Sequence, residues 1–552
     1  MSINIGQVAL SNNKLALDLI GKNIANANDA AYARERLHLT STVSGNVVNR
    51  IEQAVDEALQ KDLILEQGKL SFYAKQKDIL KQIESSVNEL SSSDISSSMD
   101  SYYTALEKLS LNPQDISLRE TVMQSAQQLT DTFHAVGRTF LQLSQRVDQE
   151  IGDSADVVNN LLDRVAVLNA QVAMREGGVN DSPAVDSRNE RRKLLDELAG
   201  IMNITTTEMS NGAVLVQSEG RTLVFQTESR GVYIDRKDGA TQLRYSSDHS
   251  YVQPSGGSLG GLLGARKDIL NPRIAELNQI VGDFAWQNNA VHNTGRGLKG
   301  LTSVTSNTRV QTNFVDLPLN IAKVDQFSLG QRFVPQNGTI TLRMQNNITG
   351  DTRDSSVDIT LVGDRKMSLQ DLSDHLNQID HLSASIDNFG RLHMDSENGY
   401  SFFIQEDTSN VTSFLGLNNL FNGNDALNIE LNQDVANDVS KFAAAKSSSA
   451  GDNSNLLALV NTKLKPLSNG QTLSQQYQSY VSKVASLTNR VTALSDNQTR
   501  IVADVTQRRN AFSGVNLDEE AADLLRYQQS YQAAAQYMSV QNQLIAILFQ
   551  AI

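Results

Sequence analysis

Cysteine is absent from this 552-residue sequence. The chain therefore cannot form disulfide bonds, thiolate metal sites or a cysteine nucleophile, so three kinds of stabilising or catalytic chemistry are excluded. Aromatic residues are also scarce at 5%, and only 7 prolines occur. This composition is more typical of long helices with modest β modules than of an enzyme core rich in aromatic side chains.

Long apolar runs are missing as well. No stretch approaches the ~18 consecutive apolar residues that a membrane-spanning helix needs. Residues 1–7 lack the basic segment followed by an apolar segment that marks a secretory signal peptide. The sequence therefore predicts neither membrane insertion nor export with a cleaved signal peptide.

Positive charge is limited and dispersed. The formal net charge of −14 would repel a phosphate backbone, so nucleic-acid binding is not expected. The longest basic run, Arg191 to Lys193, is followed by Asp196 and Glu197 in a helical pattern. We interpret this run as a solvated helix face and not as an anion site.

Patterns typical of catalysis or metal binding do not occur. His375, His381 and His393 lie near aspartates, but their spacings fit neither a His-x-x-x-His helix nor a compact zinc loop. No Gly-x-Ser-x-Gly elbow is present, and residues 255–264 lack the Gly-Lys-Ser/Thr of a phosphate-binding loop. His292 is expected to fix a helix-to-loop exit by hydrogen bonding. We therefore predict no catalytic residue, no cofactor, no metal ligand and no enzymatic activity.

Apolar residues recur every seven positions at both ends of the chain. Residues 3–27 and 516–552 therefore indicate amphipathic helices with seams suited to coiled-coil packing. The candidate assembly seam comprises Ile3, Leu10, Leu17, Ile24, Leu517, Leu524, Tyr531, Met538 and Ile545. Asn516 is expected to cap the C-terminal helix, with Glu519 completing an Asn-x-x-Glu capping box.

Each terminal helix would be marginal in water alone, because nucleation is costly and its apolar stripe lacks a partner. We therefore expect both ends to be largely unfolded in the free chain and to order when subunits pack together. Heptads alone indicate intramolecular packing about as often as assembly. Their presence at both extreme ends favours assembly.

The length of the chain exceeds what one hydrophobic core usually serves. We predict a multidomain α plus β fold with terminal coiled-coil helices, a helical bundle formed by both chain halves, and inserted β-rich or α+β domains. The predicted segments are an N-terminal axial helix (1–40), the first part of the bundle (41–204), a small β unit (205–260), a helix returning to the bundle (261–300), an inserted α+β domain (301–430), the second part of the bundle (431–515) and a C-terminal axial coiled-coil helix (516–552).

The terminal segments resemble a known group of proteins. Residues 9–18 and the motif Asn23-Ile-Ala-Asn-Ala-Asn-Asp look like the N-terminal motif shared by flagellar rod, hook and hook-associated proteins. Residues 513–536, which include Asn-Leu-Asp-Glu-Glu-Ala-Ala-Asp, are similar to the ending of the hook-associated protein 1 family. The chain is thus identified as a member of the hook-filament junction family within the flagellar axial protein superfamily.

Internal segments agree with the same resemblance. Residues 188–198 and 255–263 resemble the helical-domain pattern of that family. Two positions depart from it, namely Ala31, where glycine is usual, and Gly297, where an acidic residue is common.

The resemblance implies a structural subunit that joins hook to filament by self-assembly of its terminal helices. Its implied partners are hook protein, hook-associated protein 3, further copies of itself in a helical or ring-like homo-oligomer, and a cytoplasmic export chaperone at the C-terminal region. It further implies export through the flagellar type III apparatus and an extracellular location on the bacterial flagellum.

Other functions stay open at this stage. Within the same class, the chain could be another axial protein, such as hook-associated protein 3 or a flagellin-like subunit, although residues 516–536 argue against both. Outside that class, the inserted domain could carry an extracellular enzyme or an adhesin, or the chain could be a cytoplasmic coiled-coil adaptor.

Overall fold

The structure is a computed structural model that describes residues 2–29, 32–41, 47–87, 94–176, 184–237, 240–253, 255–322, 324, 333–362, 366–449 and 451–550. The chain divides into two compact units. Unit 1 comprises residues 1–79, 145–268 and 488–552, and unit 2 comprises residues 80–144 and 269–487.

Unit 1 contains both ends of the chain. Its helices, including those that also enter unit 2, are α1 (Ser2–Ala25), α2 (Glu57–Ser86), α4 (Ile116–Glu176), α5 (Val185–Ile201), α6 (Gly257–Gly264), α12 (Leu473–Ser513) and α13 (Leu517–Gln550). A π-helical turn, Ala265–Leu270, follows α6.

Three antiparallel β elements accompany these helices. The first is the hairpin of β1 (Glu35–Ser41) and β2 (Val47–Gln53), in which Glu35 pairs with Gln53. The second is a four-stranded sheet of β3 (Thr205–Glu208), β4 (Val214–Ser218), β5 (Arg221–Phe225) and β6 (Glu228–Ser229). The third is the hairpin of β7 (Val232–Lys237) and β8 (Ala240–Tyr245).

Unit 2 combines helices with an inserted α+β region. Its own helices are α3 (Ile95–Leu111), α7 (Asn271–His292), α8 (Leu369–Leu376), α9 (Val411–Leu415), α10 (Gln433–Asn437) and α11 (Ser454–Asn461), with 3₁₀ turns at Thr312–Phe314 and Val439–Lys441. Its strands are β9 (Ser303–Thr305), β10 (Gly338–Asn346), β11 (Thr352–Ile359), β12 (Leu382–Ile386), β13 (Leu392–Ser396), β14 (Tyr400–Asp407), β15 (Phe421–Asn422) and β16 (Glu430–Leu431).

The strands of unit 2 form two three-stranded antiparallel sheets, in the orders β11-β10-β14 and β12-β13-β9, and the short pair β15-β16. Alternate residues of β10, such as Leu342 and Met344, enter one apolar core together with Leu372, Leu392 and Phe402. Helix α8 is fixed at its start by a capping box between Ser368 and Asp371.

The long helices are explained by the spacing of their buried residues. In α4, Val122, Ala126, Leu129 and Phe133 are buried three or four residues apart, and the pattern continues to Val172. This spacing keeps one face of the 61-residue helix against the interior. Tertiary packing along that face, and not propensity alone, therefore stabilises the helix.

The predicted fold class is confirmed, since long helices flank several small sheets in a multidomain α plus β chain. One local expectation differs from the structure. The boundary predicted at residue 40 falls inside β1, and residues 35–41 and 47–53 pair as antiparallel strands in a segment that was predicted to enter the bundle. In β1, Leu37 and Leu39 alternate with polar residues, so a period of two was present in that strand, but β2 has no such alternation.

His292 ends α7 inside unit 2 and is fully buried. Its Nδ1 lies 2.7 Å from the carbonyl oxygen of Asn418, and its Nε2 accepts a hydrogen bond from the backbone N–H of Ala443 at 3.0 Å. The ring is therefore the neutral tautomer with a proton on Nδ1. The pKa of His292 is lowered to about 4, chiefly by burial; the hydrogen bond to Asn418 opposes this shift, and the nearby Arg119 guanidinium adds to it.

Acidification should therefore destabilise unit 2. Because the pKa is depressed in the folded chain, the contribution of His292 is complete above about pH 6.5 and is lost as pH falls towards 4, at a cost of roughly 3 kcal/mol. Urea unfolding followed by fluorescence of Trp286, the only tryptophan, measures this at several pH values. His292→Asn should be less stable at neutral pH, and its free energy of unfolding should depend less on pH between 6.5 and 4. His375→Asn, at an exposed position, should keep the pH dependence of the unmodified chain. Equal slopes in all three proteins would contradict the assignment.

Candidate assembly site at the terminal helices

Helices α1 and α13 lie side by side in opposite directions. Gly6, near the start of α1, contacts Met538 and Tyr537, in the second half of α13. Asn23, near the end of α1, bonds Glu520 in the first turn of α13. The two termini of the chain thus form one antiparallel helix pair within unit 1.

This pairing differs from the expectation that both ends are unfolded in the free chain. Each helix supplies the apolar partner that the other lacks, so the stripe that makes an isolated helix marginal is partly covered within one molecule. In α1 the most deeply buried apolar side chains are Ala16, Leu19 and Ile20, at 3%, 6% and 5% exposure. The heptad positions of α1 lie at the edge of this face.

The predicted seam residues occupy different environments. Half-buried side chains are those of Leu10, Leu17, Leu524, Met538 and Ile545. Ile24, Leu517 and Tyr531 are 38%, 54% and 38% exposed, and the side chain of Ile3 lies outside the described part of the chain. Leu10 and Tyr531 line one shallow groove of about 540 Å³ together with Met538 and Gln543. Of the predicted seam residues, Leu10, Tyr531 and Met538 thus meet at this groove.

Asn23 is the centre of the polar contacts at the base of this pair and is 1% exposed. Its Oδ1 accepts hydrogen bonds from the Tyr32 hydroxyl at 2.8 Å and from the Glu35 backbone N–H at 3.0 Å. Its Nδ2 donates to the Glu35 carbonyl at 2.9 Å and to Glu520 Oε2 at 3.1 Å. The amide thereby satisfies both donors and both acceptor positions, which explains why an asparagine suits this buried site.

Arg34 joins the start of β1 to the first turns of α13. Its guanidinium lies 2.5 Å from Glu519, 2.6 Å from Glu520 and 3.7 Å from Asp523, and its backbone N–H donates to the Ser513 carbonyl. The Arg34 and Glu520 side chains are only 8% and 2% exposed. Burial alone would lower the pKa of Arg34, but its hydrogen bond to Glu519 and the charge of Glu520 raise it overall. The ion pair is thus both buried and geometrically constrained.

Lys22 extends the same cluster to α5. Its Nζ lies 3.0 Å from Glu35 Oε1 and 2.5 Å from Asp186 Oδ1. Burial opposes the charge on Lys22, yet the hydrogen bonds to Asp186 and Glu35 raise its pKa. Burial, followed by the charge of Glu35, raises the pKa of Tyr32, so its hydroxyl remains a hydrogen-bond donor. We call the set Lys22, Asn23, Tyr32, Arg34, Glu35, Glu519 and Glu520 the terminal polar cluster.

The two predicted capping residues also lie here. The Asn516 Oδ1 accepts a hydrogen bond from the backbone N–H of Asp518 at 3.0 Å, which is an N-cap interaction at the start of α13. The Glu519 carboxylate bonds Arg34 and therefore serves the polar cluster. Ala31, where the sequence departs from the resembled pattern, lies outside the described residues.

The interpretation of the basic run as a solvated face is wrong for Arg191. This side chain is 3% exposed and donates to Asn169 Oδ1 and the Gly212 carbonyl, both at 2.9 Å. Burial lowers the pKa of Arg191 to about 10, as it does for Arg192. In the sequence, a basic residue followed by acidic neighbours predicts an exposed side chain. In the structure, amide and backbone oxygens from distant parts of the chain accept the hydrogen bonds of the buried guanidinium.

The three histidines near aspartates have separate partners. The Nδ1 of His375 lies beside the Asp371 carbonyl, the ring of His381 stacks on Tyr400, and His393 lies beside Thr305 and Asp395. Over the described ranges no three His, Asp or Glu side chains are arranged to hold a metal ion. In the same part of the chain, no helix combines the length and apolar character required to cross a membrane.

Two glycines of α1 allow a matched test of the helix pair. Gly21 faces open space, so Gly21→Ala should stabilise α1 by about 0.5–1 kcal/mol through reduced backbone entropy. A Cβ at Gly6 would overlap Met538 Sδ and lie 3.3 Å from Tyr537 Cδ1, so Gly6→Ala should separate the helices locally. Amide hydrogen exchange of α1 should slow in the first variant and accelerate in the second. Equal effects would show that α1 does not pack at Gly6.

Two family models match parts of the chain. A family model described as the flagellar hook-associated protein FlgK helical domain matches residues 80–305. A second, described as the flagellar basal body rod FlgEFG protein C-terminal, matches residues 506–551, which include the whole of α13.

Curated relatives match almost the whole chain. Flagellar hook-associated protein 1 of Salmonella typhimurium is 26% identical over 587 residues, covering 99% of each chain. The protein of the same name from Escherichia coli is 24% identical, covering 98% of this chain and 97% of its own. The flagellar hook junction protein FlgK from Burkholderia pseudomallei shares the fold, with a TM-score of 0.55 and 16% identity over 82% of this chain and 100% of its own. Over almost its whole length, the chain is therefore similar to proteins named flagellar hook-associated protein 1.

Proposed function

We propose that this chain is a structural subunit of the bacterial flagellum that forms the junction between hook and filament. The observation that carries the proposal is the end-to-end match to proteins named flagellar hook-associated protein 1. The antiparallel pair of α1 and α13 supports it, because α13 falls within the segment matched by the rod-protein model. The family is structural, and we propose no catalytic role for the chain.

The terminal helix pair would act as the assembly element. A head-to-tail contact repeated with a rotation that does not close produces an open helical tube. Two different axial faces of such an assembly would accept hook protein on one side and hook-associated protein 3 on the other, with further copies of this chain beside it. The buried polar cluster supports this role, because it holds the two helices in one register.

The chain would also have to be exported to reach the flagellum. We infer export through the flagellar type III apparatus and an extracellular position on the flagellum. A cytoplasmic chaperone would bind the C-terminal region before export. The apolar side chains that α13 leaves exposed, among them Val540 and Leu544, support such a binding role.

Complementation tests the function. A strain of the native host that lacks this gene should shed flagellin into the medium and swim poorly, and the full-length chain should restore filaments and motility. A chain lacking residues 517–552 should fail to do so, although unit 2, to which that segment does not belong, retains its residues. Normal filaments in the deletion strain would refute the proposal.

A further inference from the structure

A cavity of about 660 Å³ lies in unit 1, between α2, β2, α5 and the sheet that contains β3 and β4. Every residue that lines it belongs to unit 1, and none belongs to α1 or α13. Its volume falls within the roughly 300–1,000 Å³ of sites that bind small molecules. The terminal helix pair therefore does not account for this cavity.

Two arginines of α5 line the cavity without a carboxylate partner among the described residues. Arg191 is 3% exposed, and both of its hydrogen bonds, to an amide oxygen and a backbone carbonyl, come from Nη1. Arg192 donates to the amide oxygens of Asn189 at 3.1 Å and Gln53 at 3.4 Å. Lys61 of α2 adds an exposed ammonium group that forms no ion pair with a described residue. Neutral oxygens alone thus accept the hydrogen bonds of both guanidinium groups.

The wall of the cavity at α5 is therefore short of negative charge. Burial, and next the charge of Arg188, lowers the pKa of Arg191 to about 10. Burial, and next the charge of Arg509, lowers the pKa of Arg192 to about 10, although the charge of Asp196 opposes the shift. A buried cation that bonds only neutral groups gains from an anion, because charge-assisted hydrogen bonds are the stronger ones.

Four carboxylates also line the cavity and limit the negative charge that it accepts. Glu176 and Glu208 are held by Arg188, whose Nη2 lies 2.7 Å from the first and 2.8 Å from the second. Glu52 and Glu57 are exposed. A multiply charged anion would be repelled by these groups, whereas a single carboxylate meets less repulsion on its way to the arginines.

Apolar side chains form another part of the wall. They are those of Ile51, Val55, Ile64, Val185, Leu195 and Val214. A hydrocarbon body placed against them would be removed from water together with them, which is favourable. The guanidinium fork matches the geometry of a carboxylate, so one ligand that carries both an acid group and a hydrocarbon body suits both parts of the wall.

We propose that this cavity is a binding site for a small organic monocarboxylate, with its acid group on Arg191 and Arg192 and its hydrocarbon body against the apolar side chains. The inference goes beyond the proposed function, since it requires no contact with another flagellar protein. The basic run was not expected to be an anion site, because the residues that follow it are acidic. The cavity is the observation that the sequence lacks.

Saturation-transfer difference NMR of the full-length chain tests the proposal with hexanoate and hexanamide, and with inorganic phosphate as a competitor. Hexanamide keeps the hydrocarbon body but has no charge, whereas phosphate keeps the charge but has no hydrocarbon. We expect hexanoate to bind with a Kd of about 1 mM or lower. Hexanamide and phosphate should each bind about tenfold more weakly or worse.

Substitutions locate the binding in the cavity. Arg192→Gln should weaken hexanoate binding about tenfold or more, because a charge-assisted hydrogen bond is lost. Lys193→Gln is the matched control, since Lys193 is exposed and does not line the cavity, and it should change the Kd by less than about twofold. Because Arg192 also holds Asn189 and Gln53, Lys61→Gln provides a second test. Lys61 is exposed, so its loss should leave circular dichroism unchanged and weaken hexanoate binding about twofold or more.

The proposal is overturned if hexanoate does not bind, or if hexanamide or phosphate binds as tightly. It is also overturned if Arg192→Gln and Lys61→Gln are folded and bind hexanoate like the unmodified chain. Complementation of the deletion strain tests the proposed function separately. A chain that restores filaments but does not bind hexanoate leaves the proposed function standing, and a chain that binds hexanoate without restoring filaments leaves this inference standing.

Discussion

Arg34→Ala should release the first turns of α13 from β1 and lower the free energy of unfolding of unit 1 by about 3–5 kcal/mol, the range found when one partner of a buried ion pair is removed. The reason is that the Glu520 carboxylate would lose its positively charged partner. The Glu520 side chain is 2% exposed, so it would stay buried with no positive partner at hydrogen-bonding distance. Thermal unfolding and proteolysis at the start of α13 measure the effect.

Two further variants show whether the buried charge is the cause. Arg36→Ala removes an exposed arginine from the same strand and should change stability by less than about 0.5 kcal/mol. Adding Glu520→Gln to Arg34→Ala removes the unpaired buried carboxylate but keeps an oxygen that can accept a hydrogen bond from Asn23. The double variant should therefore recover part of the lost free energy of unfolding. If Arg34→Ala and Arg36→Ala unfold alike, the ion pair does not hold α13.

Asn23→Asp should be nearly as damaging. The substitution removes the two donors that serve the Glu35 carbonyl and Glu520, and it places a second carboxylate beside the Glu520 carboxylate. Each unsatisfied buried group costs about 1–3 kcal/mol, so we expect a total loss of at least ~3 kcal/mol. Hydrogen exchange at the Glu35 amide, which donates to Asn23 Oδ1, reports directly on the cluster.

Asn26→Ala is the matched control for this change. Asn26 belongs to the same motif but is only half-buried, and its side chain donates a single hydrogen bond to the Lys22 carbonyl at 2.8 Å. Its loss should cost about 1 kcal/mol or less. Because Asn23 and Arg34 both contact Glu520, their combined substitution should cost less than the sum of the two. Strict additivity would indicate that Glu520 does not couple them.

The terminal helices show what the sequence can and cannot predict. Seven-residue spacing predicted helices at both ends, and α1 and α13 occupy those segments. The same spacing did not identify the most deeply buried face of α1, because Leu19 and Ile20 lie outside the predicted heptad positions. Local periodicity gives the element, whereas the buried face depends on its partners.

Polar residues were harder to interpret than apolar ones. Asn23 belongs to a motif that the sequence analysis singled out, but its role depends on Tyr32, Glu35 and Glu520, of which the last is 497 residues away. Arg191 was assigned to a solvated face because its neighbours are acidic, yet its acceptors are Asn169 and Gly212. No short-range pattern distinguishes a satisfied buried arginine from an exposed one.

The sequence separation between Asn23 and Glu520 has a consequence for biosynthesis. The bond joins residues that are 497 positions apart, so Glu520 cannot hold α1 until α13 has been synthesised and has reached it. A chain interrupted before Glu520 would leave α1 without this contact.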